Sequence, residues 1–232
     1  MRIVLTCILT FIAASLFGQG FRYPVINVKG QQVKDFIPGG WMILDSAAGD
    51  LNNDHLNDVA IILQRKDSIA VVKDIEDTVI TQPRILIILF KNRTDNSFLL
   101  LAQSNTFILN HDSPTMDDPF DELTINAGIL KIKFRLFHSM GSWYINIASY
   151  KFRYQKEEFV LIGVDLFSIH RATLDFEEYS YNFLSKKRTL TKGNENNRKK
   201  NTTWKVVNIF PLKTLKTFIK PFTWKIETDV YL

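Results

Sequence analysis

Cysteine is all but missing from this chain: the single one, Cys7, lies in the first apolar stretch. One thiol closes no internal disulfide and builds no Cys-rich zinc site, so any clamp beyond the hydrophobic core has to be a bound ion. Histidine is scarce as well. His55, His111, His138 and His170 are scattered without a His-x-x-x-His spacing, which leaves zinc catalysis without ligands. No glycine-rich phosphate loop and no Gly-x-Ser-x-Gly elbow occur, and no catalytic nucleophile or cofactor-binding motif stands out. Beyond residue 17 no apolar run approaches the ~20 residues of a membrane-spanning helix. No repeat of fixed period is present, which argues against a solenoid or a whole propeller.

What is present begins at the N-terminus. Arg2 precedes an apolar run from Ile3 to Phe17, and Gly18 and Gly20 are small residues where a signal peptidase would cut. Residues 1–20 are therefore expected to be a cleavable signal peptide, and the mature protein is expected outside the cytoplasm, periplasmic or secreted. Cleavage would remove Cys7 and leave about 212 residues, 21–232, enough for one β-rich domain; the polar stretch 105–122 is where two lobes would divide. Hydrophobic residues make up 46% of the chain, with 18 Phe, 7 Tyr and 4 Trp, so the material for a core is plentiful.

Most of the chain reads as short β-branched or aromatic runs bounded by Asn, Asp, Gly and Pro. Strands are expected at 41–44, 59–64, 85–91, 98–103, 123–125, 129–137, 143–154, 159–164, 179–184, 204–207 and 222–227. The fold class this predicts is mainly β, with antiparallel sheets in a sandwich-like or open barrel-like arrangement and few short helices. Asn126-Ala127-Gly128 and residues 155–158 have the chemistry of hairpin turns. Tyr150, Phe152 and Tyr154 alternate with Lys151 and Arg153, as on a half-solvated strand. The run Ile85 to Phe90 does not alternate, which predicts a central strand buried on both faces. Short helices are expected at 212–218 and just before Pro38, and a polar loop at 186–201.

One segment carries specific chemistry. From Asp50 to Asp58 the side chains of Asp50, Asn52, Asp54 and Asp58 and the main-chain carbonyl of Leu56 supply oxygens at loop positions one, three, five, nine and seven. Calcium takes 6 to 8 oxygens at roughly 2.3–2.6 Å, commonly from carboxylates two apart around a tight turn. Position twelve is Ile61, where an EF-hand requires a bidentate Glu, so the loop is of another kind. Gly49-Asp-Leu-Asn-Asn-Asp54 followed by Asp58-Val-Ala resembles the calcium loop of FG-GAP and VCBS-type repeats, present here once, with His55 where those loops usually carry Gly. The alternative is an Asx-rich turn without an ion. More widely, the segments around residues 36–58 and 150–163 resemble an uncharacterised family of secreted proteins from Bacteroidetes-type bacteria; that resemblance implies export and carries no activity.

Two charge patterns complete the picture. Residues 111–122 hold five acids, Asp112, Asp117, Asp118, Asp121 and Glu122, with no Lys or Arg among them. They suit either a glycan-hydrolysing carboxylate pair or a solvated acidic loop. From Lys186 to Lys225 twelve bases face the single acid Glu195, interleaved with Trp204, Phe210, Phe218 and Trp224. That stretch suits either a polyanion, such as an acidic glycan or cell-envelope component, or lysines alternating with core aromatics. Nucleic acid is an unexpected partner for an exported chain.

Overall fold

The computed structural model describes residues 21–74, 77–197 and 199–232. The expected signal peptide, residues 1–20, lies outside the described residues. The chain folds into two antiparallel sheets with no closed barrel. A five-stranded sheet has the order β1-β7-β6-β3-β2, built from β1 (Lys29–Gly30), β2 (Trp41–Gly49), β3 (Asp58–Arg65), β6 (Arg84–Lys91) and β7 (Phe98–Ser104). A hairpin of β4 (Ile69–Asp74) and β5 (Asp77–Thr81) projects between β3 and β6. The second sheet is a seven-stranded meander of sequence neighbours: β8 (Phe120–Asn126), β9 (Ile129–Phe137), β10 (Tyr144–Gln155), β11 (Glu158–His170), β12 (Asp175–Asn182), β13 (Lys187–Asn194) and β14 (Lys200–Val206). A last small hairpin, β15 (Lys225–Glu227) with β16 (Val230–Tyr231), ends the chain.

The pattern of burial explains the layering. Ala60 and Ile62 of β3 and Leu86 and Ile88 of β6 meet Leu130, Ile132, Phe134, Tyr150 and Phe152 of the large sheet, so one core lies between the two sheets. Ile61, Leu63, Ile85, Ile87 and Leu89 point the other way and are covered by Ile26, Phe36 and Trp41. The central strands β3 and β6 are thus buried on both faces, which is why their sequences run apolar without alternating. Residues 105–119, which join the two sheets, send Phe107 into the shared core. Its ring lies 5.3 Å from Phe152, 5.5 Å from Tyr150 and 5.8 Å from Phe218, mostly edge to face.

Both expected hairpins form. β8 and β9 are joined by Ala127 and Gly128 at φ 48° and 72°, and β10 and β11 by Lys156 and Glu157 at φ 51° and 62°. Two consecutive left-handed residues give the turn twist that suits antiparallel strands. Two expectations fail. Residues 187–194 of the expected polar loop form β13, whose Thr189, Leu190 and Thr191 suit a pleated strand between β12 and β14. The expected helix at 212–218 is absent: Thr214 bridges to Val160, and its N–H donates to the Thr217 hydroxyl at 2.8 Å instead of to a helical carbonyl. A four-residue 3-10 helix, Val33–Phe36, does precede Pro38. No helix among the described residues is long and apolar enough to cross a membrane.

Candidate functional site

The loop from Asp50 to Asn57 connects β2 to β3 at the corner where the two sheets meet. Leu51 is buried in the shared core and anchors the loop from below. Gly49 lies so close to β8 that a Cβ would come within 2.6 Å of Ile125 Cγ2. The loop curls around the Asp50 carboxylate. Asp54 N–H donates to Asp50 Oδ1 at 3.1 Å and His55 N–H to Asp50 Oδ2 at 2.8 Å. Asp54 N–H also reaches Asn52 Oδ1 at 3.1 Å, and Leu56 N–H reaches Asp54 Oδ1 at 2.8 Å. This curl places Asn53 and His55 in the left-handed region, at φ 61° and 66°. Asn and His tolerate that region better than most non-glycine residues, so His55 fits where Gly would be expected.

Asp58, the first residue of β3, faces inward and is fully buried. Its Oδ2 accepts from Leu51 N–H at 2.9 Å and its Oδ1 from Lys91 N–H at 3.0 Å, tying the loop to the end of β6. Burial pushes the Asp58 carboxyl up; the two N–H donors offset part of this, and the charges of Asp54 and Asp50 push in the same direction as burial. Asp50 behaves oppositely: burial pushes it up, but the N–H groups of His55, Asp54, Asn53 and Asn52 together hold it below the ordinary value. No Lys or Arg side chain among the described residues bonds to any of these three carboxylates; Arg93 reaches the loop but donates to the Asp54 main-chain carbonyl. The contributions of Lys91 and Arg93, from a strand and turn more than thirty residues on, carry no local signature in the sequence.

The donor set is all oxygen, which suits a hard cation, and a carboxylate oxygen that accepts one N–H keeps a second lone pair. Even so, no group of three or more His, Cys, Asp or Glu side chains among the described residues is gathered as a metal site. Asp58 faces its backbone donors, and Asp50 and Asp54 are occupied by the turn's own N–H groups.

The other two charge patterns resolve into pairs. Asp117 meets Arg135 at 3.4 Å, Asp121 meets Lys133 at 2.7 Å and Glu122 meets Lys131 at 2.8 Å. Asp118 takes a two-pronged bond from Arg84, whose side chain is only 2% exposed. The acidic segment is thereby strapped to β9 and β6, with each of these four carboxylates engaged by a cation. In the basic third, Arg188 and Lys205 bond to Glu227, and Lys192 bonds to Glu177. Lys187 lies over Trp204 at 5.2 Å, Lys200 over Phe176 at 5.0 Å and Lys213 over Trp224 at 5.6 Å. Every residue of the edge strand β14 is exposed.

The fold and its charges define a two-sheet antiparallel β protein with an acidic corner loop and a basic edge. No protein-family model matches the chain, and no curated protein and no solved structure matches it either.

Proposed function

We propose that this is a non-enzymatic protein of the periplasm or exterior, whose Asp50–Asp58 loop is clamped by calcium, tying β2 to β3 and so stabilising the fold. The supporting observation is electrostatic. The buried Asp58 carboxylate feels the charges of Asp54 and Asp50, and no Lys or Arg side chain among the described residues bonds to any of the three; the one ring nitrogen nearby, His55 Nδ1, stands 3.9 Å from Asp50 Oδ2. A divalent cation shared by Asp50, Asn52, Asp54 and the Leu56 carbonyl, with Asp58 behind them, would relieve that repulsion. Without a bidentate Glu the affinity belongs in the ~10⁻⁴ to 10⁻³ M range of extracellular modules. At roughly ten to a hundred times Kd the ion would stabilise the fold by about 1.4–2.7 kcal/mol. For a domain of this size that is a rise in melting temperature of about 3–10 °C. Melts in excess calcium and in chelator test it, with Asp50→Asn as control. Superimposable curves for the unaltered protein would remove calcium from the account.

A second reading, binding of an acidic glycan or cell-envelope polyanion, is favoured by the exposed edge strand. Lys187 of β13 lies over Trp204 at 5.2 Å, Lys200 is on the same outer face further along β14, and Trp204 is 64% exposed. It calls for salt-sensitive retention on heparin that disappears when Lys187 and Lys200 are neutralised.

A further inference from the structure

The strands β10 and β11 are 12 and 13 residues long and run past the end of the hydrophobic core. Their register shows what happens there. The core-facing row Phe134, Ala148, Leu166, Tyr179 is apolar or aromatic. Two residues further along, the same face carries Leu136, Asn146, Ser168, Glu177 and Lys192, aligned across five strands. The next row holds Tyr144 paired with His170, then Asp175 paired with Asn194. The face of the sheet that forms the core therefore turns polar for two consecutive rows while still lying in a concavity. A cleft of about 680 Å³ is lined there by Tyr144, Ser168, His170, Asp175 and Glu177. A second, of about 440 Å³, shares Ser168 and Glu177 with it and reaches Asn146 and Tyr231 of the C-terminal hairpin. The two form one groove running across the strands. Four inter-strand steps of about 4.8 Å, from β9 to β13, give it a length of roughly 19 Å.

Three features define what would fit. The one Lys or Arg lining the two clefts is already engaged, Lys192 with Glu177, while the acids Asp175, which accepts from the uncharged Asn194 Nδ2 at 2.7 Å, and Asp229 leave nothing there to attract an anion. The Asn146 amide and the Ser168 hydroxyl, side by side on neighbouring strands, have no side-chain hydrogen bond among the described residues. They offer donors and acceptors without net charge. Two exposed aromatic rings line it, Tyr144 in the first cleft at 49% exposure and Tyr231 in the second at 47%, the latter with the Lys225 ammonium 5.7 Å from its centre. Tyr144 is held edge-on against His170 at 5.0 Å, and Trp143 stacks on the same imidazole at 6.0 Å. A ring face is electron-rich and attracts polarised C–H groups, while neutral amides and hydroxyls exchange hydrogen bonds with hydroxyls. A ligand with both surfaces, and no negative charge to place, is a sugar chain.

We propose that this groove binds a neutral oligosaccharide, its pyranose faces stacked on Tyr144 and Tyr231 and its hydroxyls bonded to Asn146, Ser168 and Glu177. The site is distinct from the basic edge at β14 and calls for the opposite charge preference. The experiment is a printed array of neutral and anionic glycans probed with the mature protein. The strongest neutral oligosaccharide is then titrated by calorimetry and by the emission of Trp143, with Trp143→Phe identifying that signal. Neutral chains are expected to bind, with an affinity that changes less than about twofold over a tenfold rise in salt, since no ion pair is formed. Tyr144→Ala and Asn146→Ala should each weaken binding about tenfold or more at unchanged melting temperature, because neither side chain is part of the core. Absence of any neutral ligand, preference for sulfated or uronic chains, or binding that survives both substitutions would overturn the proposal.

Discussion

Glu227 gives the sharpest test of how the C-terminal hairpin is held. It sits in β15, above the core face of the large sheet. It accepts from the Tyr181 hydroxyl at 2.8 Å, from Arg188 Nε at 3.1 Å and Nη2 at 2.9 Å, and from Lys205. The carboxylate side chain is 14% exposed and that of Arg188 10%, so solvent screens the pair little. Burial alone would push the Glu227 carboxyl up, but Arg188, Lys205 and Tyr181 outweigh it and hold it at about 2 against an ordinary 4.5. A displacement of that size corresponds to about 3 kcal/mol of preference for the ionised form in the folded state. Because the folded value is depressed, the contribution is complete above about pH 4.5 and fades as the pH falls toward 2. Glu227→Gln removes the charge, keeps an acceptor for Tyr181 and leaves Arg188 without a carboxylate. Urea unfolding followed by tryptophan emission should show a loss of about 3 kcal/mol at pH 7, shrinking to about half of that near pH 3, where this glutamate is already mostly protonated in the unfolded chain. A gap that stays constant over that range, or one below about 1 kcal/mol at pH 7, would refute the clamp.

Other perturbations follow from the same contacts. Asp118→Ala strands the buried Arg84 guanidinium with only Gln64 Oε1 and the Leu109 carbonyl as partners, and, because the Asp118 side chain is 43% exposed, should cost toward the lower end of about 3–5 kcal/mol by chemical denaturation. Replacing Arg84 by Met and Asp118 by Leu together should recover most of that loss. Lys156 and Glu157 both hold positive φ in a two-residue hairpin, so Lys156→Asn with Glu157→Gly should raise stability by about 1 kcal/mol, read as a higher melting temperature. Gly163→Ala would put a Cβ 2.7 Å from the Tyr181 carbonyl oxygen, a backbone atom that cannot step aside, and should cost about 2 kcal/mol. Gly39→Ala, with nothing within 4 Å, is the matched control and should be close to neutral.

The strands legible in the sequence are those whose residues declare a face. Ile85 to Phe90 reads as doubly buried because every position is apolar, and β9 runs from Ile129 to Phe137 as its alternation predicts. β13 escapes because its sequence, Lys-Arg-Thr-Leu-Thr-Lys-Gly-Asn, has only Leu190 as an aliphatic anchor. What makes it a strand is a neighbour on each side and the Glu227 carboxylate above Arg188, and both are tertiary facts. The helix expected at 212–218 fails for a related reason: Leu215 and Phe218 do share a face, but the segment binds to β11 through Leu161 N–H to the Lys213 carbonyl and Leu215 N–H to the Phe159 carbonyl. The acidic segment 111–122 looks like surplus charge in sequence only because its cations, Arg84, Lys131, Lys133 and Arg135, lie on other strands.

The same blindness applies to the groove. In β10 the alternation that puts Tyr150 and Phe152 in the core also carries Asn146 and Tyr144 on that inner face, and in β11 Leu166 is followed by Ser168 and His170. Read along the chain, such polar residues at a strand end look like the approach to a loop. Read across it, they form a row, because the register of three hairpins brings Asn146, Ser168, Glu177 and Lys192 into line. A sheet that needed only to cover its core could end where the apolar row ends. Strands of 12 and 13 residues that continue as an ordered polar floor, with aromatic rings at the rim, extend past what packing requires. Because that extension lies on the concave face, it provides a surface that stability alone does not explain, and neutral-glycan binding lost on Tyr144→Ala is the result that would account for it.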